Sequence, residues 1–205
     1  MKSLAVIGAG GHAKVVADIA EVCGWEKISL FDDLIISKFY DLKWSVVGTS
    51  QDLFKNLNSF SGVVVGIGNN VTRNNFLDQL NDLSAPIVSL VHPGAIVSRY
   101  AKVGKGVVIM PNVVVNASTL VGDGVILNTS CSIDHDCLIS NLVHICPGVN
   151  LSGRVKVGLR SCIGVGSSVK QQVTIGRDVI IGAGSVVVSD ISDNSTAFGV
   201  PARPR

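Results

Sequence analysis

From Val97 onward the hydrophobic pattern repeats with a six-fold spacing. An aliphatic residue stands at Val97, Val103, Ile109 and Val115 and then at every sixth position through Val187. Four positions after each comes a small or β-branched residue, among them Val107, Thr119, Cys131, Cys137, Ser161 and Ser185. A period of six fits neither the 3.6-residue turn of a helix nor the two-residue alternation of a strand. It is the signature of a hexapeptide β-helix, in which each hexad gives one short strand and one corner and three hexads close a triangular coil. Both columns are predicted to face one interior. Glycine follows the aliphatic position at Gly104, Gly122, Gly158 and Gly176, in steps of three hexads or a multiple; the expectation is a tight corner whose backbone angles a side chain would resist. Coils stack at strand spacing, so five of them make a prism about 25 Å long. A narrow prism buries little alone, and a symmetric oligomer is expected.

Before Pro93 the pattern is different. Apolar runs at 4–8, 27–32, 63–68 and 87–91 alternate with a helical stretch over 12–23, which predicts a parallel α/β sheet. The chain is therefore read as two domains, 1–92 and 93–205. Gly8-Ala9-Gly10-Gly11-His12-Ala13 has the GxGxxA form of a dinucleotide fingerprint, and Asp32 and Asp33 close the next strand, where an acid would meet a ribose. Backbone N–H groups at the helix start would cradle phosphate. About ninety residues hold only half of a six-stranded dinucleotide fold, so one nucleotide is expected in preference to NAD. The same glycines also suit a plain strand-to-helix turn. Gly68 ends the third run at the same sheet edge and would complete the pocket.

Of the 205 residues 47 % are apolar and 16 % charged, the balance of a packed globular protein. A net charge of +2 without a Lys/Arg cluster among exposed aromatics argues against nucleic acid. No apolar run is long enough to cross a membrane and no basic-then-apolar leader is present, so a cytoplasmic protein is expected. Cys131, His135, Cys137, His144 and Cys146 lie close in sequence, yet the register turns Cys131 and Cys137 inward, and no metal is expected.

His135 has Asp134 and Asp136 on either side. A carboxylate beside an imidazole orients it for general-base work. Gly153 stacks one full coil later and leaves room beside the ring. His144 lies half a coil beyond His135 and so projects from another side of the prism. The two would share one site only across a subunit boundary, which a three-fold assembly supplies. No nucleophile constellation stands out, so direct attack on an activated acyl group is expected.

The hexad domain joined to a GxGGH-type lobe, with the stretches 125–129 (Val-Ile-Leu-Asn-Thr), 133–136 (Ile-Asp-His-Asp) and 194–202, resembles the sialic acid O-acetyltransferase (NeuD-like) family. That family includes bacterial nucleotide-sugar N-acetyltransferases of the PglD and perosamine type. The resemblance covers essentially the whole chain. It implies an α/β half-Rossmann-like lobe followed by a left-handed parallel β-helix, a homotrimer, and acetyl-CoA between subunits as co-substrate. It further implies His135 as base, Asp136 (where PglD-like enzymes carry Glu) tuning it, and Asn128 touching the sugar amine. His144, Gly153, Val165 and Ala183 would line the acetyl-CoA channel, and Gly10, Gly11, His12, Asp32, Asp33 and Gly68 would hold the nucleotide sugar. The implied activity is N-acetylation of the 4-amino group of a nucleotide-linked, UDP-linked in this reading, amino-dideoxy sugar for bacterial surface glycans. Sialic acid O-acetylation and a non-catalytic nucleotide-binding scaffold are the alternatives.

Overall fold

In a computed structural model, described for residues 1–34 and 43–205, the chain divides into two compact units, Met1–Leu90 and Val91–Arg205. The first is an α/β layer. Its four parallel strands, β1 (Ser3–Ile7), β2 (Lys27–Phe31), β3 (Val46–Gly48) and β4 (Gly62–Val65), lie in the order β3-β2-β1-β4. Strands β1 and β4 are buried nearly throughout and β2 over its second half, as expected for parallel strands covered on both faces. Helix α1 (Gly11–Val22) buries Ala13, Val16, Ala17, Ile19 and Ala20, a face whose three alanines let the helix sit close to the sheet. Ala13 is so near β4 that a Cβ on Gly66 would lie 3.0 Å from it.

One strand and two helices of this unit escape the hydrophobic pattern. Strand β3 is short and none of its residues is fully buried, so it shows no alternation. Helix α2 (Ser50–Lys55) follows it, started by a capping box in which the Thr49 side chain accepts from Asp52 N–H and Asp52 accepts from Thr49 N–H. Helix α3 (Asn70–Asp82) turns only Arg73, Leu77 and Leu80 inward. The run at 87–91 is divided: Ile87 makes a single parallel bridge to Val63, whereas Leu90–Val91 is a strand of the β-helix sheets.

The second unit is a parallel β-helix. Its short strands recur once per wall in every coil and stack into three walls. The first wall runs through Val108–Ile109, Ile126–Leu127, His144–Ile145, Cys162–Ile163 and Ile180–Ile181; the second through Val114–Val115, Ser132–Ile133, Asn150–Leu151 and Ser168–Val169; the third through Leu120–Val121, Leu138–Ile139 and Lys156–Val157. The second residue of nearly every strand is the aliphatic one of the hexad pattern, and from Ile109 to Val187 it is at most 4 % exposed. The small column is interior as well, with Val107, Thr119, Cys131, Cys137, Ser161 and Ser185 at 1 % or less. Three of its hydroxyls are satisfied from coil to coil, Thr119 Oγ1 donating to Asp134 O at 2.8 Å, Ser161 Oγ to Gly176 O at 2.7 Å and Ser167 Oγ to Gly182 O at 3.0 Å, while Ser185 Oγ donates to Gly182 O at 2.7 Å in its own coil. A buried hydroxyl left unpaired would cost about 1–3 kcal/mol, so these bonds are what lets a polar group into the column.

The glycines after the aliphatic positions have a different cause from the one their spacing suggests. The left-handed corner falls two positions further on, at Gly148 (φ 67°), Gly166 (φ 69°) and Gly184 (φ 68°), and non-glycine residues such as Asn112, Ser130 and Asp136 also take it. Gly158 is needed because coils approach too closely there: a Cβ would lie 2.5 Å from Gly176 C and 2.6 Å from Arg177 N. Gly122 is hemmed in the same way by Asn141 N at 2.7 Å.

Candidate active site

The glycine turn of the first unit opens onto a cavity of about 540 Å³ lined by Gly10, Gly11, His12, Asp32, Asp33 and Gly68, with Phe31 and Phe76 among its apolar walls. Gly8 takes φ +108°, which only glycine adopts readily. A Cβ on Gly10 or Gly11 would meet nothing within 4 Å, so these residues keep backbone open to the cavity. Gly10 caps α1 without a side-chain hydrogen bond, and the first turn itself carries no acid to repel an anion at the helix start.

The acids fasten the cavity wall. Asp32 Oδ2 accepts from Ala9 N–H at 2.7 Å and Oδ1 from Leu34 N–H at 2.8 Å. Asp33 accepts from Ser50 N–H at 2.7 Å and from Ser50 Oγ at 2.9 Å. Arg73, which the sequence pattern does not single out, is 1 % exposed and donates to Ile67 O at 3.1 Å, Gly68 O at 2.9 Å and Asn70 Oδ1 at 2.8 Å. Its buried charge holds the loop after β4 and places positive potential near the cavity. Burial, and then the Arg73 charge, lower His12 to about 4, so its ring is neutral at pH 7.

In the β-helix, His135 lies on the edge between the second and third walls. Its Nδ1 is 2.7 Å from Asp136 Oδ2. The hydrogen bond from His135 is the main reason the Asp136 carboxyl sits below the usual range. An ionised carboxylate only accepts, so Nδ1 is the donor and Nε2 of the neutral ring carries the lone pair. That nitrogen lies over Gly153, where a Cβ would come within 2.6 Å of both Cε1 and Nε2. Arg154 Nε stands 3.7 Å from the same Asp136 oxygen. Asp134, on the other side in sequence, turns away from the ring, and its Oδ1 accepts from His135 N–H at 2.8 Å and Asn116 Nδ2 at 3.0 Å. A cavity of about 270 Å³ beside the ring is lined by Asp134, His135, Ser152, Gly153, Arg154, Gln171 and Gln172.

A second group gathers along the first wall and the edge that follows it. Asn128 Oδ1 accepts from Thr129 N–H at 2.8 Å, which fixes the amide orientation and turns Nδ2 toward His144 Nε2 at 3.1 Å. His144 Nε2 is therefore the acceptor nitrogen of a neutral ring. Val165 and Ala183 stack one coil apart on this edge, and Val165 is 52 % exposed. The β-helix residues assigned by resemblance thus fall into two sets: His135, Asp136 and Gly153 on one edge, Asn128, His144, Val165 and Ala183 on another. Gly153 joins the imidazole of His135 instead of the other channel residues.

The cysteines divide too. Cys131 and Cys137 are interior, and burial pushes their thiols up to about 12 and about 11. Cys146 and Cys162 sit beside His144, with the two sulfurs 3.8 Å apart. Cys162 stacks on His144 from the next coil, a neighbour in space that lies a whole coil away in sequence.

Residues 3–80 match the family model described as the PglD N-terminal domain. The acetyltransferase domain of PglB from Neisseria gonorrhoeae FA1090, solved in complex with acetyl coenzyme A, is 42 % identical with a TM-score of 0.92 over 100 % of this chain and 99 % of that one. PerB from Caulobacter crescentus, solved with CoA and GDP-perosamine, is 37 % identical with a TM-score of 0.94 over 100 % of this chain and 98 % of that one. The UDP-N-acetylbacillosamine N-acetyltransferase of Bacillus subtilis is 34 % identical over 112 residues, 54 % of this chain and 52 % of that enzyme. The chain spans about half the length of the curated relatives it matches. Among the described residues no helix is long and apolar enough to cross a membrane. With the N-terminal model and two structural likenesses that cover the whole of this chain in agreement, the chain belongs to the nucleotide-sugar N-acetyltransferase family that carries a PglD N-terminal domain.

Proposed function

We propose that this protein transfers the acetyl group of acetyl-CoA to the 4-amino group of a nucleotide-linked amino-dideoxy sugar, with UDP as the carrier, in the cytoplasm. The observation that carries the reading is the His135–Asp136 pair at 2.7 Å, which leaves Nε2 as the acceptor beside a cavity. As the amine attacks the thioester carbonyl, Nε2 takes the amine proton. A C–N bond forms, the tetrahedral oxyanion is steadied by His144 or a backbone N–H, the C–S bond breaks, and the proton passes to the departing CoA thiolate. Asp136 holds the ring in the required tautomer throughout.

In this reading residues 1–92 form the nucleotide-sugar-binding domain and 93–205 the acetyltransferase domain, with coils wound left-handed. Gly10, Gly11, His12, Asp32, Asp33 and Gly68 hold the nucleotide sugar, and Asn128 meets its amine. His144, Gly153, Val165 and Ala183 line the acetyl-CoA channel. Support for a homotrimer comes from the two edges: the assigned residues divide between them, and a three-fold assembly brings one edge of a subunit to the other edge of its neighbour. The complexes named above, one with acetyl coenzyme A and one with CoA and GDP-perosamine, support the two substrate classes. CoA release, measured against UDP- and GDP-linked 4-amino sugars and against sialic acid, tests the proposal. Turnover with a UDP-linked amine is expected, turnover with sialic acid alone would replace N- by O-acetylation, and absence of turnover with every acceptor would overturn the enzyme reading.

A further inference from the structure

His144, Cys146 and Cys162 bring one imidazole nitrogen and two sulfurs within 4.8 Å of one another. The fold places them there for a simple reason. His144 and Cys162 occupy matching positions in adjacent strands of the first wall, so they stack at one coil step, about 4.8 Å. Cys146 follows His144 by two positions, at the start of the corner. None of the three is interior: each is half-buried, reachable by a small ion and sheltered from bulk water.

We propose that these three residues form a zinc site whose occupation switches that edge off. Zinc–sulfur bonds of about 2.3 Å at a tetrahedral angle hold two thiolates about 3.8 Å apart. The observed separation of the Cys146 and Cys162 sulfurs is 3.8 Å. A tetrahedral N···S edge is about 3.5 Å, so the imidazole has to close by at most about 1.3 Å from the observed limit of 4.8 Å. Two thiolates and a neutral imidazole balance a dication, which suits a half-buried place, and the fourth position is left for water. Both thiols give up their protons to solvent as the two S–Zn bonds form, so no oxidant or reductant takes part.

Binding has a cost at His144. A neutral imidazole has one acceptor nitrogen, and Asn128 Nδ2 already donates to it. An ion on that nitrogen displaces Asn128; an ion on the other leaves Nε2 protonated against an N–H donor. The ion and the Asn128–His144 hydrogen bond therefore exclude each other. That the loss of this arrangement stops acetyl transfer rests on the function proposed above; the binding of the ion does not.

Cobalt(II) titrated into the fully reduced protein reads the site without any assay of turnover. One equivalent per chain should give thiolate-to-cobalt charge-transfer absorption and the intense visible bands of a tetrahedral ion, bleached by zinc. Zinc affinity should rise by up to about 100-fold per pH unit, since two protons leave. Cys146→Ser and Cys162→Ser, checked for an unchanged melting curve, should each lose the charge-transfer band. No thiolate band in the parent, or bands that persist in both serine variants, would overturn the site. Zinc should also suppress CoA release by the parent and not by Cys162→Ser. Thiolate-bound metal with undiminished CoA release would overturn the switch.

Discussion

At the scale of single residues the chemistry depends on the two nitrogens of His135 being made unequal. Asp136 takes Nδ1 at 2.7 Å and Gly153 makes space for the other side of the ring. His135→Ala should therefore lower kcat by about 10²–10⁴ while leaving the Kd for acetyl-CoA unchanged, which single-turnover kinetics and calorimetry would separate. Wild-type turnover in that variant would remove the base. His12 makes a different prediction. Its ring has a pKa of about 4 in the fold against 6.5 as its ordinary value, so between those limits the unfolded chain binds the proton and the fold does not. Stability from this group is complete above pH 6.5 and is lost as pH falls toward 4, by about 3 kcal/mol in all. Urea melts of the parent should show that loss, and His12→Gln should flatten it; equal slopes would refute it. The histidine with its flanking acids was legible in the sequence because all three are neighbours along the chain. Arg73 was not, since it lies among the polar Thr72, Asn74 and Asn75, where no hydrophobic pattern marks an inward position; only the fold shows it 1 % exposed. Cys162 was missed because its partners, Cys146 and His144, belong to the preceding coil and meet it only through stacking.

The elements show where a pattern identifies positions without identifying causes. The hexad period located the aliphatic and small columns, because side-chain direction in a hexad is fixed by the backbone. It put the glycine requirement on backbone angles at Gly104, Gly122, Gly158 and Gly176, whereas the adjoining coil leaves no space for a Cβ there. The distinction is measurable. Gly166 has φ +69° and nothing within 4 Å of a Cβ, so Gly166→Asn should cost no more than about 1 kcal/mol, asparagine being tolerant of that conformation. Gly158→Asn presses on the backbone of Gly176 and Arg177 and should cost about 1–3 kcal/mol or more. Denaturation midpoints in the reverse order would contradict the stacking argument. In the first unit β1, β2 and β4 were legible as apolar runs and α1 as the helical stretch between the first two. Strand β3 was not, being short and without a buried face, and Ile87 makes one bridge where a strand was expected.

For the whole molecule, what matters is that each chain carries the parts of the proposed site on two different edges of its β-helix. His135 with Asp136 and Gly153 is on one, and His144 with Asn128 is on the other. The half-coil offset between residues 135 and 144 already pointed to this, whereas the pairing of Asn128 with His144 depended on an amide orientation set by Thr129 N–H. If sites are completed by neighbouring subunits, a chain lacking His135 and a chain lacking His144 are complementary. The most direct measurement is CoA release by oligomers reassembled from His135→Ala and His144→Ala subunits. The account predicts activity well above that of either variant alone, because some interfaces then contain both histidines. Mixed oligomers, verified by mass, that never exceed their two parents would contradict it.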